Sequence, residues 1–86
     1  RVALCGGSGS FLIANALENR ADFYLSSDIK YHEFFDADGR MVVADIGHFE
    51  SEQFTRELLN EILREKFPTF AVLKSEVQTN PVQYFF

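Results

Sequence analysis

A histidine and a glutamate four residues apart have the types and spacing best suited to chemistry in this sequence. His48 and Glu52 follow Gly47, where a predicted strand gives way to the longest predicted helix, residues 49–66. Gly47 permits a tight turn there, and side chains four residues apart project from one face of a helix. An imidazole nitrogen beside a carboxylate oxygen provides half of a metal site. The spacing therefore predicts that His48 and Glu52 bind a metal ion.

The helical register supports this prediction. At about 100° per residue, His48 and Glu52 continue an apolar stripe that is expected to be buried and consists of Phe54, Leu58, Leu59, Ile62 and Leu63. Because an unpaired buried carboxylate is costly, Glu52 should lie at an edge or contact a cation. The helix dipole should keep His48 neutral. The structural alternative is that His48 caps the turn and Glu52 pairs with an arginine or lysine.

A glycine-rich segment follows the first predicted strand, residues 2–5, and Ser10 can cap a helix over residues 11–19. Strand, glycine loop and helix form the layout of an anion cradle, although neither common phosphate-binding motif is present. The alternative is a tight turn that brings the helix close to the strand. The candidate anion- or substrate-binding residues are Gly6, Gly7, Ser8, Gly9 and Ser10.

Two further polar residues follow the second predicted strand, residues 22–25. Asp28 can cap a short helix over residues 29–35, and His32 lies four residues later. Asp28 and His32 are the candidate catalytic residues, which could orient water or shuttle protons. A histidine among aromatic residues is, however, typical of a packed, hydrogen-bonded side chain. The Asp-Ala-Asp-Gly sequence at residues 36–39 predicts a turn more strongly than a calcium loop.

The order of elements predicts the fold class. With strands at residues 41–44 and 69–73, four strands alternate with helices. This pattern predicts a three-layer α/β fold, in which helices from β-α-β units pack on a four-stranded, largely parallel or mixed sheet. Residues 1–86 should form a single lobe. Ligands bind at the carboxyl ends of parallel strands, where the glycine loop, Asp28, His32, His48 and Glu52 should converge.

The composition excludes several classes of protein. The chain has 86 residues, 47% hydrophobic and including ten Phe, enough for one core and too apolar for a disordered chain. A net charge of −5 argues against nucleic acid as a partner, and no apolar run approaches the ~20 residues of a membrane span. A single cysteine, Cys5, suits a reducing, cytoplasmic setting. Arg1 already lies in an apolar strand without a signal peptide, so we expect a piece of a longer protein.

Three segments of the sequence are distinctive, and they are Cys-Gly-Gly-Ser-Gly-Ser, Ser-Ser-Asp-Ile-Lys-Tyr-His-Glu and Asp-Ile-Gly-His-Phe-Glu-Ser-Glu, at residues 5–10, 26–33 and 45–52. They resemble the Nif-three-like family, whose members are also labelled GTP cyclohydrolase I type 2 homologues. Their order and spacing are similar to the C-terminal part of these proteins. The Gly-His-x-x-x-Glu pattern in the last segment is the most specific of the three.

The resemblance implies a C-terminal lobe of a two-lobed α/β protein that forms toroidal hexamers with a dinuclear metal site between the lobes. The family's C-terminal metal ligands correspond to His48 and Glu52, whereas its other ligands lie in N-terminal segments outside this sequence. His32 falls near the metals without being an implied ligand. The implied cofactors are two divalent ions in the full-length protein (zinc, iron or manganese), with weak or absent binding by residues 1–86 alone. The implied partners are further copies in a dimer or hexamer, the N-terminal lobe and a phosphorylated small molecule.

Three functions remain open. The first is a metal-dependent hydrolase that acts on a nucleotide or other phosphorylated substrate, in which the metal lowers the pKa of a bound water. The second is a non-catalytic metal-binding or metal-delivery protein with the same ligands. The third is an oligomeric interaction module, in which the aromatic helix and the apolar tail at residues 81–86 dock on partners.

Overall fold

The computed structural model describes residues 1–86. The chain forms two compact units, Arg1–Glu52 and Gln53–Phe86, and the assignment of residues 1–86 to a single lobe stays a prediction. The first unit contains every strand and both predicted metal ligands. The second unit contains one helix followed by a segment without regular secondary structure.

The first unit is built on a three-stranded parallel sheet. Its strands lie side by side in chain order, and they are β1 (Val2–Ser8), β2 (Phe23–Ser27) and β3 (Val42–Asp45). Parallel neighbours need crossover connections. The first crossover contains the 3-10 helix Ser10–Leu12 and helix α1, Ile13–Glu18, and the second contains the 3-10 helix Tyr31–Ala37. The predicted α/β fold with helices between parallel strands is confirmed.

The hydrophobic core lies on one face of this sheet. Tyr24, in the central strand, is 2% exposed and shares the core with Ile13 of α1 and with Met41. Burying a large apolar side chain contributes roughly 1.5–3 kcal/mol. Successive strand residues point to opposite faces, and on the other face Leu4 and Val42 remain 72% and 56% exposed.

The predicted fourth strand, residues 69–73, is absent from the three-stranded sheet. Phe70 N–H instead donates to Phe67 O at 3.1 Å in a turn. The second unit contains no strand with which an extended segment could exchange backbone hydrogen bonds. High β propensity in this segment therefore does not produce a strand.

The predicted helix over residues 49–66 is divided into α2 (His48–Glu52) and α3 (Thr55–Lys66). Ser51 Oγ donates to His48 O at 2.9 Å, and such side-chain bonds compete with the helical hydrogen-bond ladder. The predicted burial of the apolar stripe is wrong, because its members are 42% to 72% exposed. None of the helices has the length and apolar character needed to cross a membrane.

Candidate metal centre

His48 and Glu52 lie side by side where β3 has ended and α2 begins. His48 Nε2 is 3.2 Å from Glu52 Oε2, and the two side chains are 49% and 50% exposed. The Glu52 carboxylate therefore lies at an edge and contacts an imidazole, which removes the cost of isolated burial. The structure places the pair where the spacing predicted, and its metal-binding role stays a prediction.

The glycine-rich segment belongs to strand β1. Leu4 pairs with Leu25 and Ser8 pairs with Ser27, so β1 has two more residues than β2 between these points. Extra residues of this kind form a β-bulge, which bends the strand and redirects its side chains. The predicted strand end at residue 5 is wrong because pairing resumes after the bulge.

Gly7, within the bulge, makes room for the histidine and the glutamate. Its φ is +69°, in the left-handed region that glycine adopts without a steric penalty. A Cβ atom at this position would lie 3.2 Å from His48 Nε2 and 3.1 Å from Glu52 Cδ, and it would overlap Glu52 Oε1. The absence of a side chain at Gly7 is therefore a requirement of the pair.

Two backbone N–H groups of the predicted anion loop already have protein acceptors. Gly7 N–H donates to Ser51 Oγ at 2.9 Å, and Gly9 N–H donates to Ser27 O at 3.4 Å. Unpaired N–H groups are needed for an anion cradle, so these two do not form one here. Gly9, and not Ser10, occupies the cap position of the following 3-10 helix. The tight-turn alternative accounts for these contacts, and a substrate role for the segment stays a prediction.

Asp28 contacts the ring nitrogen of His48 that faces away from Glu52. Asp28 Oδ2 lies 2.6 Å from His48 Nδ1, and Ser8 Oγ donates to the same carboxylate oxygen. The backbone at Asp28 is left-handed, with φ at +55°. The next residue is also fixed, because Ile29 N–H donates to the carboxylate of Asp45 at 3.0 Å. The ends of all three strands thus contribute to the position of one imidazole.

These carboxylates shift the pKa of His48. The hydrogen bond with Asp28 is the main cause that raises the pKa of His48, and the charges of Asp28 and Glu52 raise it further. In turn, the hydrogen bonds from Ser8 and then His48 lower the pKa of Asp28. This direction is opposite to the one expected from the helix dipole, because hydrogen-bonded carboxylates outweigh the end of a five-residue helix. Where the ring is protonated, a metal ion must displace that proton, which becomes easier as pH rises.

Ser51 is the residue of this site that sequence reasoning missed. Its hydroxyl accepts from Gly7 N–H and donates to His48 O, both at 2.9 Å, so it joins β1 to α2. Its position three residues after His48 was an available signal, since such residues are neighbours on a helix.

The second histidine does not join the cluster. His32 is exposed on the 3-10 helix Tyr31–Ala37 and makes no hydrogen bond to Asp28, His48 or Glu52. Asp28 does not cap this helix as predicted, because the first turn is held by Lys30 N–H donating to the Glu33 carboxylate at 2.8 Å. The turn predicted after the helix is present, with Arg40 N–H donating to Ala37 O at 3.0 Å.

The chemistry of the donors suits half of a metal site. Imidazole and carboxylate are ligands of zinc, iron and manganese, and both side chains are accessible. Asp28 contacts the opposite ring nitrogen and does not converge on the same point. No group of three or more His, Cys, Asp and Glu side chains in this chain is arranged to hold a metal ion. A zinc site closed by four protein ligands would need donors from outside residues 1–86.

These features define an α/β protein with a histidine–carboxylate cluster at the carboxyl edge of a parallel sheet. The chain belongs to the Duf34/NIF3 (NGG1p interacting factor 3) family, whose model matches residues 1–81. The GTP cyclohydrolase 1 type 2 homolog of Campylobacter jejuni is 38% identical over 86 residues, covering 99% of this chain and 33% of that protein. The homolog of Lactococcus lactis is 38% identical over 82 residues, covering 94% of this chain and 32% of that protein. The chain thus spans about a third of the length of these relatives.

Solved structures show the same fold. Staphylococcus aureus protein SA1388 matches with a TM-score of 0.73 and 30% identity, over 99% of this chain and 29% of that one. A Bacillus cereus protein related to NIF3 matches with a TM-score of 0.70 and 28% identity, over 98% of this chain and 24% of that one. The resemblance seen in the three sequence segments is confirmed.

Proposed function

We propose that this chain supplies the histidine–glutamate half of a divalent-metal site, and that the complete site serves hydrolysis of a nucleotide or other phosphorylated substrate. The observation that carries this proposal is the pairing of His48 Nε2 with Glu52 Oε2 at 3.2 Å, next to a glycine that leaves room for both. Such an arrangement presents two metal-ligand types side by side on an accessible surface.

The surroundings of the pair support a binding role over a merely structural one. A structural cap would need only one contact from His48, whereas both ring nitrogens face carboxylates. Neither carboxylate is neutralised by an arginine or a lysine in this cluster, so the local charge is negative when His48 is neutral. Negative charge at a site that is half exposed favours a cation from solution.

The division of roles follows from the contacts. His48 and Glu52 would hold zinc, iron or manganese, and a bound divalent ion supplies a water of lowered pKa. The dinuclear site implied by the family resemblance would take its remaining ligands from residues outside this chain. Ser51 and Gly7 fix the start of α2 against β1, which keeps the two donors together.

The same geometry serves a non-catalytic metal-binding or metal-delivery protein. A turnover assay on the complete protein, loaded with zinc, iron or manganese, separates the two functions. The panel should include GTP, because the relatives are named homologs of GTP cyclohydrolase 1 type 2, together with other nucleotides and phosphoesters. Hydrolysis that is lost in His48→Ala and Glu52→Gln but kept in His32→Ala supports the hydrolase. Stoichiometric metal without turnover of any substrate supports the second function.

An interaction role is favoured by a different observation. The first unit exposes Leu4, Phe11, Tyr31 and Phe35 by 67% to 82%, whereas parallel sheets are usually covered on both faces. The expected partners are further copies of the chain, in a dimer or hexamer, and the remainder of a longer protein. This role is compatible with the metal site, since the apolar residues are not ligands.

A further inference from the structure

We propose that Asp28 is a positioning residue, which fixes the imidazole of His48 so that Nε2 carries the lone pair and faces the position of a metal ion beside Glu52. This inference rests on the proposed function for its metal, but the orientation of the ring is a property of the chain alone. It assigns Asp28 a role other than proton transfer to a substrate.

The two ring nitrogens of His48 have unequal partners. The contact of Nδ1 with Asp28 Oδ2 is 2.6 Å, whereas Nε2 lies 3.2 Å from Glu52 Oε2. A charge-assisted N–H···O hydrogen bond is typically about 2.7–2.9 Å long. The stronger hydrogen bond is therefore the one to Asp28, and the contact with Glu52 is the weaker and more easily opened of the two.

The proton on the ring follows from the chemistry of the acceptor. An ionised carboxylate only accepts hydrogen bonds, and a neutral imidazole has one donor and one acceptor nitrogen. Asp28 also accepts from Ser8 Oγ, which stabilises its ionised form. Glu52 also only accepts, so the single proton of neutral His48 belongs on the nitrogen with the shorter contact, which is Nδ1, and the lone pair lies on Nε2. A metal ion binds through that lone pair.

Asp28 is itself held by the strands. Ser8 ends β1 and lies beside Ser27, the residue that precedes Asp28. On the other side, the carboxylate of Asp45 at the end of β3 accepts from Ile29 N–H. The strands therefore hold the carboxylate of Asp28 in place before any ligand binds. Histidine ligands of metals commonly donate their second ring N–H to such a carboxylate, which fixes the tautomer and the ring orientation.

Asp28 is poorly placed for the alternative roles. It contacts Nδ1, on the side of the ring away from Glu52, so it cannot share an ion bound at Nε2. A proton shuttle would need a path from Asp28 to the substrate that bypasses the ring it already contacts. Positioning is the role that its two hydrogen bonds perform.

The first test measures the tautomer of His48 in the metal-free chain by long-range ¹H–¹⁵N NMR, at a pH at which both imidazoles are neutral. We expect the Nδ1–H tautomer at His48 and the Nε2–H tautomer, which predominates in free histidine, at the exposed His32. In Asp28→Asn the Nδ1–H fraction of His48 should fall while His32 is unchanged. A wild-type His48 protonated at Nε2, or an unchanged tautomer in Asp28→Asn, would overturn the proposal. The wild-type measurement decides the matter even if the variant does not fold.

The second test measures Mn²⁺ affinity from paramagnetic broadening of His48 in the same chain. Asp28→Asn should weaken binding by about 10–100-fold, the loss typical when a residue orienting a ligand is removed. Asp36→Asn, at an exposed aspartate outside the cluster, should bind as the wild type does. Equal affinity in Asp28→Asn and wild type would refute the positioning role. If the wild-type chain binds no Mn²⁺, the same comparison is made in the complete protein, where an absence of binding would refute the proposed metal site and leave the tautomer result standing.

Discussion

Gly7 occupies the space directly beside the carboxylate of Glu52, so closely that a Cβ atom on Gly7 would overlap Glu52 Oε1. This contact joins the bulge of β1 to the first turns of α2. It explains why a left-handed glycine lies at this point of the strand. The glycine-rich segment is therefore tied to the metal ligands by packing, whether or not it contacts a substrate.

Gly7→Ala should destabilise the fold more than Gly39→Ala. Both glycines have positive φ values, +69° and +65°, so each substitution carries roughly 1–2 kcal/mol of backbone strain. Only the Cβ at position 7 meets other atoms, since nothing lies within 4 Å of one at position 39. We expect the free energy of unfolding to fall by about 1–3 kcal/mol more in Gly7→Ala, the usual cost of overpacking. Equal losses in a denaturant titration would show that Gly7 does not pack against His48 and Glu52.

Two neighbouring serines in β2 allow the contribution of one buried hydrogen bond to the free energy of unfolding to be measured by comparison. Ser26 and Ser27 are both fully buried, but Ser26 Oγ donates to Gly7 O at 3.1 Å whereas Ser27 Oγ has no partner. Ser26→Ala should lower the free energy of unfolding by about 1 kcal/mol. Ser27→Ala should leave it unchanged or raise it, because an unsatisfied buried hydroxyl is removed. The reverse order in thermal or denaturant unfolding would contradict this assignment.

The pH dependence of stability should report the pair formed by His48 and Asp28. The pKa of His48 is raised from its ordinary 6.5, so its contribution is fully present below that value and is lost as pH rises through the raised pKa. The pKa of Asp28 is lowered from its ordinary 3.8, so its contribution is present above that value and is lost as pH falls through the lowered pKa. The pair therefore stabilises the metal-free chain most between these limits.

An NMR titration of the two histidines, with unfolding measured across the same pH range, tests this dependence. His48 should titrate above 6.5, and Asp28→Asn should bring its pKa down towards that value. The variant should also lose the part of the pH-dependent stability that lies between the two limits. A His48 that titrates at or below 6.5 in the wild type would contradict the contact with Asp28.

Self-association is the expected result of the exposed apolar surfaces. Leu4 on the open face of the sheet is 72% exposed, and Phe85 is 91% exposed. A stable interface buries about 1,200–2,000 Å² in total, which surfaces of this kind can provide. Light scattering over a concentration series should show a dimer or larger assembly, which Leu4→Ser or deletion of residues 82–86 weakens without lowering metal binding. A chain that stays monomeric at every concentration would contradict the interaction role.

Patterns within short stretches of sequence predicted those features that depend only on neighbouring residues in the chain. The spacing of His48 and Glu52 fixed their common face, and alternating strands and helices predicted the parallel sheet. The exposure of Leu58 and Leu59 could not be predicted in this way, because an amphipathic pattern identifies the apolar face of a helix and not what packs against that face. The bulge at Gly7 could not be predicted for a similar reason, since the register of β1 depends on which residues of β2 lie opposite. The contact of Asp28 with Nδ1 required the positions of three strand ends, which no single stretch of sequence contains.

The central claim is tested most directly by titrating Mn²⁺ into the 86-residue chain and following paramagnetic broadening residue by residue. Two protein ligands leave the remaining coordination positions to water, so binding should be weak and should broaden Gly7, His48 and Glu52 before other residues. His48→Ala and Glu52→Gln should abolish this selectivity, whereas His32→Ala should retain it. Broadening that is centred instead on the acidic turn at residues 36–39, and that is unchanged in His48→Ala, would show that His48 and Glu52 are not a metal site.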